Sequence, residues 1–175
     1  MTASPRRVAL LDRDGTVIVD KVYLSDPAGI EFAPGALEGM RLLRDAGFDL
    51  VLITNQSGIA RGYFDEAALA AVHARLEELL AAEGLKLAAI YHCPHGPNDG
   101  CDCRKPQPGM VLAARRDLGF APENAVFIGD SSADMGAAAA AGIFGVRIHP
   151  NGASGEGTVP DFLAAARIAL ARIAP

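Results

Sequence analysis

A chain of 175 residues, half of them apolar, can bury a full core as one domain and leaves little room for a second. Its formal net charge of −5, with no basic run longer than Arg6-Arg7 or Arg115-Arg116, argues against nucleic acid as a partner. No apolar stretch is long enough to span a bilayer, and residues 1–7 lack the apolar segment of a secretory leader, so the expectation is a cytoplasmic protein with no membrane partner.

The first predicted element is a central strand, because Val8-Ala9-Leu10-Leu11 is short, apolar and bounded by Arg7 and Gly15. It runs into Asp12-Arg13-Asp14-Gly15-Thr16. At a strand end, residues i and i+2 share a side. Asp12 and Asp14 therefore reach into one site while Arg13 points elsewhere, and Gly15 permits a sharp exit. Roughly twenty residues of loop follow, too few for a folded lid domain. A helix over residues 35–46 ends at Gly47. Strand two covers residues 49–54 and leads into Thr54-Asn55-Gln56-Ser57-Gly58.

The second helix begins near Asp65, carries Leu69, Val72, Leu76, Leu79 and Leu80 at helical spacing, and closes at Gly84. His73, within it, reads as a surface or partly packed residue. Strand three covers residues 88–92, and a cysteine-bearing loop then reaches Arg104-Lys105-Pro106. Pro108 opens a third helix that ends before Gly119. Strand four covers residues 125–129 and runs into Gly129-Asp130-Ser131-Ser132-Ala133-Asp134, followed by an alanine-rich helix over residues 133–141. Strand five covers residues 144–148. His149 receives no role, residues 151–158 read as a connecting loop, and a last helix starts at about Pro160.

This alternation predicts an α/β fold, a doubly wound parallel sheet with helices on both faces, as a single domain over residues 1–175. In such sheets ligands sit outside the carboxyl ends of the strands. Every candidate functional residue falls just there. Two carboxylates such as Asp12 and Asp14 suit a divalent cation, or one nucleophile and one acid/base. The Thr54 hydroxyl, the amides of Asn55 and Gln56 and the backbone at Ser57 can hold an anionic oxygen. Arg104 and Lys105 suit a phosphorylated ligand, with Pro106 keeping Lys105 extended. Asp130 and Asp134 open a helix, which one of them caps.

The three cysteines are odd in number and crowd into one loop, a poor disulfide framework. Cys93, His95, Cys101 and Cys103 supply three thiolates and an imidazole, the donor set of a tetrahedral Zn²⁺ site. Full coordination by protein makes such a zinc structural, and it would pin the loop that delivers Arg104 and Lys105. His92 is the competing imidazole, which strand three turns away.

Taken together and in order, the segments at residues 12–16, 54–58, 104–106 and 129–134 resemble the four motifs of the haloacid dehalogenase-like phosphatases. The resemblance implies a Mg²⁺-dependent phosphomonoester hydrolase. Asp12 would be the nucleophile that forms an aspartyl-phosphate. Asp14 would protonate the leaving alcohol and then deprotonate the hydrolytic water. Thr54 and Lys105 would bind the transferring phosphoryl group, and Asp12, the main-chain carbonyl of Asp14 and Asp130 would hold Mg²⁺. That set supplies the counter-charge phosphoryl transfer needs. Asp134 would brace Lys105 or the metal waters, or simply cap its helix.

The zinc loop and the missing lid narrow the resemblance to a branch of small capless phosphatases acting on heptose bisphosphates and histidinol phosphate. The runs at residues 54–64 and 104–110 resemble the heptose members. The five-residue spacer between His95 and Cys101, and Ser131 after the motif aspartate, lean toward the histidinol phosphate members. The expectation is therefore a small phosphorylated sugar first, the phosphorylated alcohol second. Asp20, Lys21, Val22, Tyr23, Asn55, Gln56, Ser57 and Arg104 would contact the substrate. A non-catalytic binding protein would be expected to lack one of the motif residues, and a polynucleotide 3′-phosphatase would want a basic groove. No coiled-coil seam is present, and a monomer is expected.

Overall fold

In the computed structural model, which describes residues 5–149 and 158–173, strands and helices alternate from end to end. They are β1 (Arg7–Leu11), α1 (Ala36–Asp45), β2 (Phe48–Asn55), α2 (Glu66–Ala82), β3 (Leu87–Cys93), α3 (Gly109–Leu118), β4 (Ala125–Gly129), α4 (Ser132–Ala140), β5 (Phe144–Ile148), β6 (Thr158–Val159) and α5 (Phe162–Arg172). The expected doubly wound sheet is present, with six strands in the order β3-β2-β1-β4-β5-β6. All of its pairings are parallel.

Strand residues alternate between two cores. Val8, Leu10, Val51, Ile53, Ala125 and Phe127 face α3 and α4, whose Met110, Val111, Ala114, Ala137 and Ala138 are buried against them. Ala9, Leu11, Leu50, Leu52, Val126 and Ile128 face α1, α2 and α5. Burial on both sides is why these strands read as continuous apolar runs rather than as alternating ones. Truncating a fully buried leucine such as Leu10 or Leu11 would cost roughly 2–5 kcal/mol.

Helix starts follow their caps. Asp65 accepts from the Ala68 N–H at 2.8 Å, and Asp161 accepts from the Ala164 N–H at 2.8 Å. The last helix therefore begins two residues beyond Pro160, behind its aspartate cap. Thr158, expected in a loop, pairs in register with Arg147 as the start of β6; two residues are too short to show a strand period. The rest of that expected loop, residues 151–157, lies outside the described residues.

The segment between β1 and α1 is packed onto the sheet. Val17, Ile18 and Leu24 are buried in the core beside α1, and Ile18 makes single bridges with Asp14 and Phe32. The chain runs from β1 outward to β2 and β3, then crosses to β4 on the other flank of β1. The reversal leaves a crevice at the carboxyl ends of β1 and β4, where ligands bind in open α/β sheets.

Candidate active site

Asp12 leaves the end of β1 with its backbone N–H donating to the Ile128 carbonyl of β4 at 3.0 Å. Its carboxylate meets the ammonium of Lys105, a residue 93 positions later, at 2.6 Å. Lys105 Nζ also lies 2.7 Å from Asp134 Oδ1 and donates to the Ile53 carbonyl at 2.7 Å. Two hydrogen bonds and one ion pair thus surround a single buried ammonium. Burial alone would pull the Lys105 pKa down, but the Asp12 and Asp134 carboxylates outweigh it and raise it. Burial pushes Asp12 well above the usual carboxylate range, with Asp134 and Asp130 adding to the effect and Lys105 opposing it. Asp130 is raised as well, first by burial and then by Asp134.

Oxygens of Asp12, Asp130 and Asp134 all lie within 4.8 Å of one another. Three close carboxylates against one lysine leave an excess of negative charge that a divalent cation fits. Asp134 commits Oδ1 to Lys105 and Oδ2 to the Ser131 hydroxyl and N–H, at 2.7 and 3.0 Å. Its bracing and capping roles are therefore both filled, and Asp12 and Asp130 are left to face a cation. Gly15 makes room for this arrangement. Its φ is +78°, and a Cβ there would collide with the Asp130 carboxylate.

Asp14 sits in a polar clasp. Gln56 Nε2 donates to Asp14 Oδ2 at 3.0 Å and to Thr54 Oγ1 at 2.8 Å. From the other side Arg13 presents Nε and Nη2 to the carboxylate, Nη2 lying 3.0 Å from Oδ2. This corrects the expectation that Arg13 points away. Its side chain is long enough to leave the strand end and fold back, and it is buried. His73 is also corrected: it is buried, with Nε2 3.3 Å from Arg13 Nη1. Leu69, Val72, His73 and Leu76 have the i, i+3, i+4, i+7 spacing of a buried helix face, a signal that was available in the sequence.

The Asn55 amide binds the backbone of Lys105, donating to its carbonyl at 3.1 Å and accepting from its N–H at 3.0 Å. The Lys105-Pro106 peptide bond is cis.

Beside Asp14 opens a cavity of about 270 Å³ lined by Arg13, Asp14, Asp20, Val22, Tyr23, Asn55, Gln56 and Ser57. Val22 and Tyr23 adopt φ of +52° and +62°, each a conformation costing about 1–2 kcal/mol for a residue with a side chain. Asp20 Oδ1 supports them by accepting from the Val22 N–H at 2.8 Å. At this rim the Tyr23 and Tyr63 rings meet edge to face at 4.8 Å, and the Arg61 guanidinium lies 5.9 Å over the Tyr23 ring. Two expected substrate residues do not line the cavity. Lys21 turns to Glu31, 2.6 Å away, and Arg104 donates to the His95 carbonyl at 3.2 Å. Loop residues follow no period that would have fixed these directions.

In the cysteine loop, Cys93 Sγ lies 3.7 Å from Cys101 Sγ, 3.0 Å from Cys103 Sγ and 3.5 Å from His95 Nδ1. Cys103 Sγ lies 3.5 Å from Cys101 Sγ and 3.3 Å from His95 Nδ1. Zinc–sulfur bonds of about 2.3 Å give sulfur–sulfur edges of about 3.8 Å in a tetrahedron, near the 3.7 and 3.5 Å that separate Cys101 from the other two sulfurs, so the donor set suits Zn²⁺. Burial pushes the Cys93 thiol up to about 12. Cys101, despite an opposing desolvation, is brought down to about 7 by the Arg104 N–H and the neighbouring sulfurs. His92 is turned away as expected, to Glu66 at 2.9 Å.

The profile of a hydrolase family, the haloacid dehalogenase-like hydrolases, matches residues 6–142. A Pseudomonas aeruginosa protein named D-glycero-beta-D-manno-heptose-1,7-bisphosphate 7-phosphatase is 45% identical over 136 residues, 77% of this chain and 76% of that relative. A protein of the same name from Escherichia coli is 44% identical over 140 residues, 76% of this chain and 73% of that relative. Among solved structures, the D,D-heptose 1,7-bisphosphate phosphatase of B. bronchiseptica, complexed with magnesium and phosphate, superposes with a TM-score of 0.84. It is 38% identical, over 94% of this chain and 98% of that one.

Proposed function

The chain belongs to the haloacid dehalogenase-like hydrolase family, and we propose that this phosphatase removes the 7-phosphate of D-glycero-beta-D-manno-heptose 1,7-bisphosphate. The observation that carries the chemistry is the Lys105 ammonium held between Asp12 and Asp134, with Asp130 beside them. The sugar is supported by the names of the relatives described above.

In this reading Asp12 attacks phosphorus, forming an aspartyl-phosphate as the ester P–O bond breaks. The leaving oxygen takes a proton from Asp14. A water then gives its proton to Asp14 and attacks phosphorus, the bond to Asp12 breaks, and inorganic phosphate is released. Burial works against an ionised Asp12, and Lys105 works for it. Mg²⁺ held by Asp12, Asp130 and the Asp14 carbonyl would supply the remaining counter-charge. Thr54 and Lys105 hold the phosphoryl oxygens, while Gln56 holds Asp14 beside Thr54. Asp20, Val22, Tyr23 and Ser57 line the cavity that would receive the sugar.

The reading includes a structural Zn²⁺ on Cys93, His95, Cys101 and Cys103, a monomer, one catalytic domain over residues 1–175, and a cytoplasmic setting. Thiols stay reduced in that compartment. Among the described residues no helix is long and apolar enough to cross a membrane.

Histidinol phosphate is the second reading, favoured by the five-residue spacer between His95 and Cys101. Ser131 favours it less, because its hydroxyl is engaged in the capping box with Asp134. The deciding experiment is Mg²⁺-dependent phosphate release from both anomers of heptose 1,7-bisphosphate beside histidinol phosphate. The expected result is a large kcat/KM advantage for the β anomer, with one phosphate released per sugar. Preference for histidinol phosphate would overturn the sugar assignment.

A further inference from the structure

Arg13 and His73 form a buried pair that the reaction above does not use. Arg13 is 1% exposed and His73 is 8% exposed. The guanidinium places Nε 3.1 Å from Asp14 Oδ2, Nη2 3.1 Å from Asp14 Oδ1 and Nη1 3.3 Å from His73 Nε2. A guanidinium only donates hydrogen bonds and keeps its charge. The nitrogen of His73 that faces it is therefore an unprotonated acceptor, which makes the ring neutral and puts its hydrogen on Nδ1. The surroundings favour that form: burial, then the Arg13 cation and His92, bring the imidazole down to about 3.

His73 is itself well anchored. It lies on the buried face of α2 with Leu69, Val72 and Leu76, and its ring meets that of His92 at 6.1 Å. His92 is paired in turn with Glu66. A chain of contacts thus leads from a helix surface, through two histidines and a buried arginine, to the carboxylate beside the nucleophile.

We propose that His73 is a positioning residue: its Nε2 fixes the Arg13 guanidinium, and Arg13 fixes the Asp14 carboxylate that serves as acid and base. The inference rests on that role for Asp14. A guanidinium that meets a carboxylate with two nitrogens sets the carboxylate plane as well as its distance. Without an acceptor at Nη1 the guanidinium loses one anchor and gains freedom to rotate, which leaves Gln56 as the fixed donor to Asp14 and lets the carboxylate turn about that bond. Catalytic groups must be held within about 0.5 Å of their working position, so that rotation is expected in the rate rather than in substrate affinity.

The test uses the full chain, loaded with Mg²⁺ and purified without chelator. The substrate is p-nitrophenyl phosphate, on which Asp14 still has to deprotonate the water and no sugar contact is needed. His73→Phe keeps the ring volume and removes the acceptor, whereas His73→Gln restores an acceptor. The expected result for His73→Phe is a kcat lowered about 10- to 100-fold, with KM within about twofold. His73→Gln should recover most of that loss. Nitrogen-15 NMR of the wild-type protein should show Nε2 of His73 unprotonated.

A His73→Phe enzyme with the wild-type kcat, a glutamine variant no better than the phenylalanine one, or a proton on Nε2 would each overturn the inference. Should His73→Phe fail to fold, the glutamine variant and the wild-type tautomer decide. Wild-type turnover of p-nitrophenyl phosphate without turnover of the heptose bisphosphate would remove the sugar assignment and leave this inference standing. Undiminished turnover by Asp14→Asn would remove the acid/base role, and the inference with it.

Discussion

The side-chain amide of Asn55 closes on both backbone groups of Lys105, donating to the carbonyl at 3.1 Å and accepting from the N–H at 3.0 Å. It ties the end of β2 to the loop that carries the ammonium. Asn55→Ala removes both bonds and frees the Lys105 backbone, leaving only the contacts of its ammonium to hold it. The expected result is a kcat/KM lower by on the order of 100-fold and a stability loss of about 1–3 kcal/mol. Phosphate-release kinetics and thermal melting check this. Unchanged kinetics would return Asn55 to a simple loop role.

Asp12→Asn tests the nucleophile. The variant keeps the shape of the side chain, and Lys105 retains Asp134 and the Ile53 carbonyl as partners. Turnover should fall below about one part in a thousand while the melting temperature stays close to wild type. Substantial residual activity in a clean preparation would sink the assignment.

A structural zinc on Cys93, His95, Cys101 and Cys103, as proposed, would have an indirect effect on rate. Cys101→Ser should bring zinc content, measured by metal analysis, from about one per chain to near zero. It should also lower the melting temperature and cut activity about tenfold or more, because the loop ends at Arg104 and Lys105. Full activity in a zinc-free variant would separate the loop from catalysis.

His73 also carries a pH dependence. Its imidazole is held at about 3 in the folded chain against 6.5 ordinarily, so the unfolded chain binds more protons between those values. Stability from this group is therefore fully present above pH 6.5 and is lost as the pH falls toward 3. In urea melts at about pH 7 and about pH 4.5, wild type should lose more stability on acidification than His73→Gln. Parallel losses would show that the imidazole does not drive the change.

Much of this architecture is legible in the amino-acid sequence. β4 and β5 match their sequence assignments residue for residue, because each is a short apolar run with a glycine at or beside its end. The helices agree to within a residue or two, since caps such as Asp65 and stops such as Gly47 and Gly84 are chemically distinct. The two-residue β6 offered no pattern. What the sequence hid were directions of long side chains. Arg13 was assigned by strand alternation, but its guanidinium acts several atoms from the backbone. His73 reads as a surface or partly packed residue, but its place on the apolar face of α2 buries it. Asn55 and Gln56 line the cavity, and their amides also hold Lys105 and Asp14 in place. Pairings over 50 and 42 positions of chain leave no local trace.

The three oxygens around the Lys105 ammonium also bear on how the product leaves. A phosphoryl oxygen that approaches Lys105 must compete with Asp12, Asp134 and the Ile53 carbonyl for the ammonium. Such an exchange gains little for a ground-state anion. It would gain more in the proposed aspartyl-phosphate, where Asp12 has become an acyl phosphate and no longer offers Lys105 its carboxylate charge. Free phosphate should accordingly be a poor inhibitor, with an inhibition constant well above the KM of the preferred sugar in steady-state assays. In the proposed mechanism departure of the cleaved anion would then not throttle the cycle, and the site would reset as Asp12 recovers its charge and takes the lysine back.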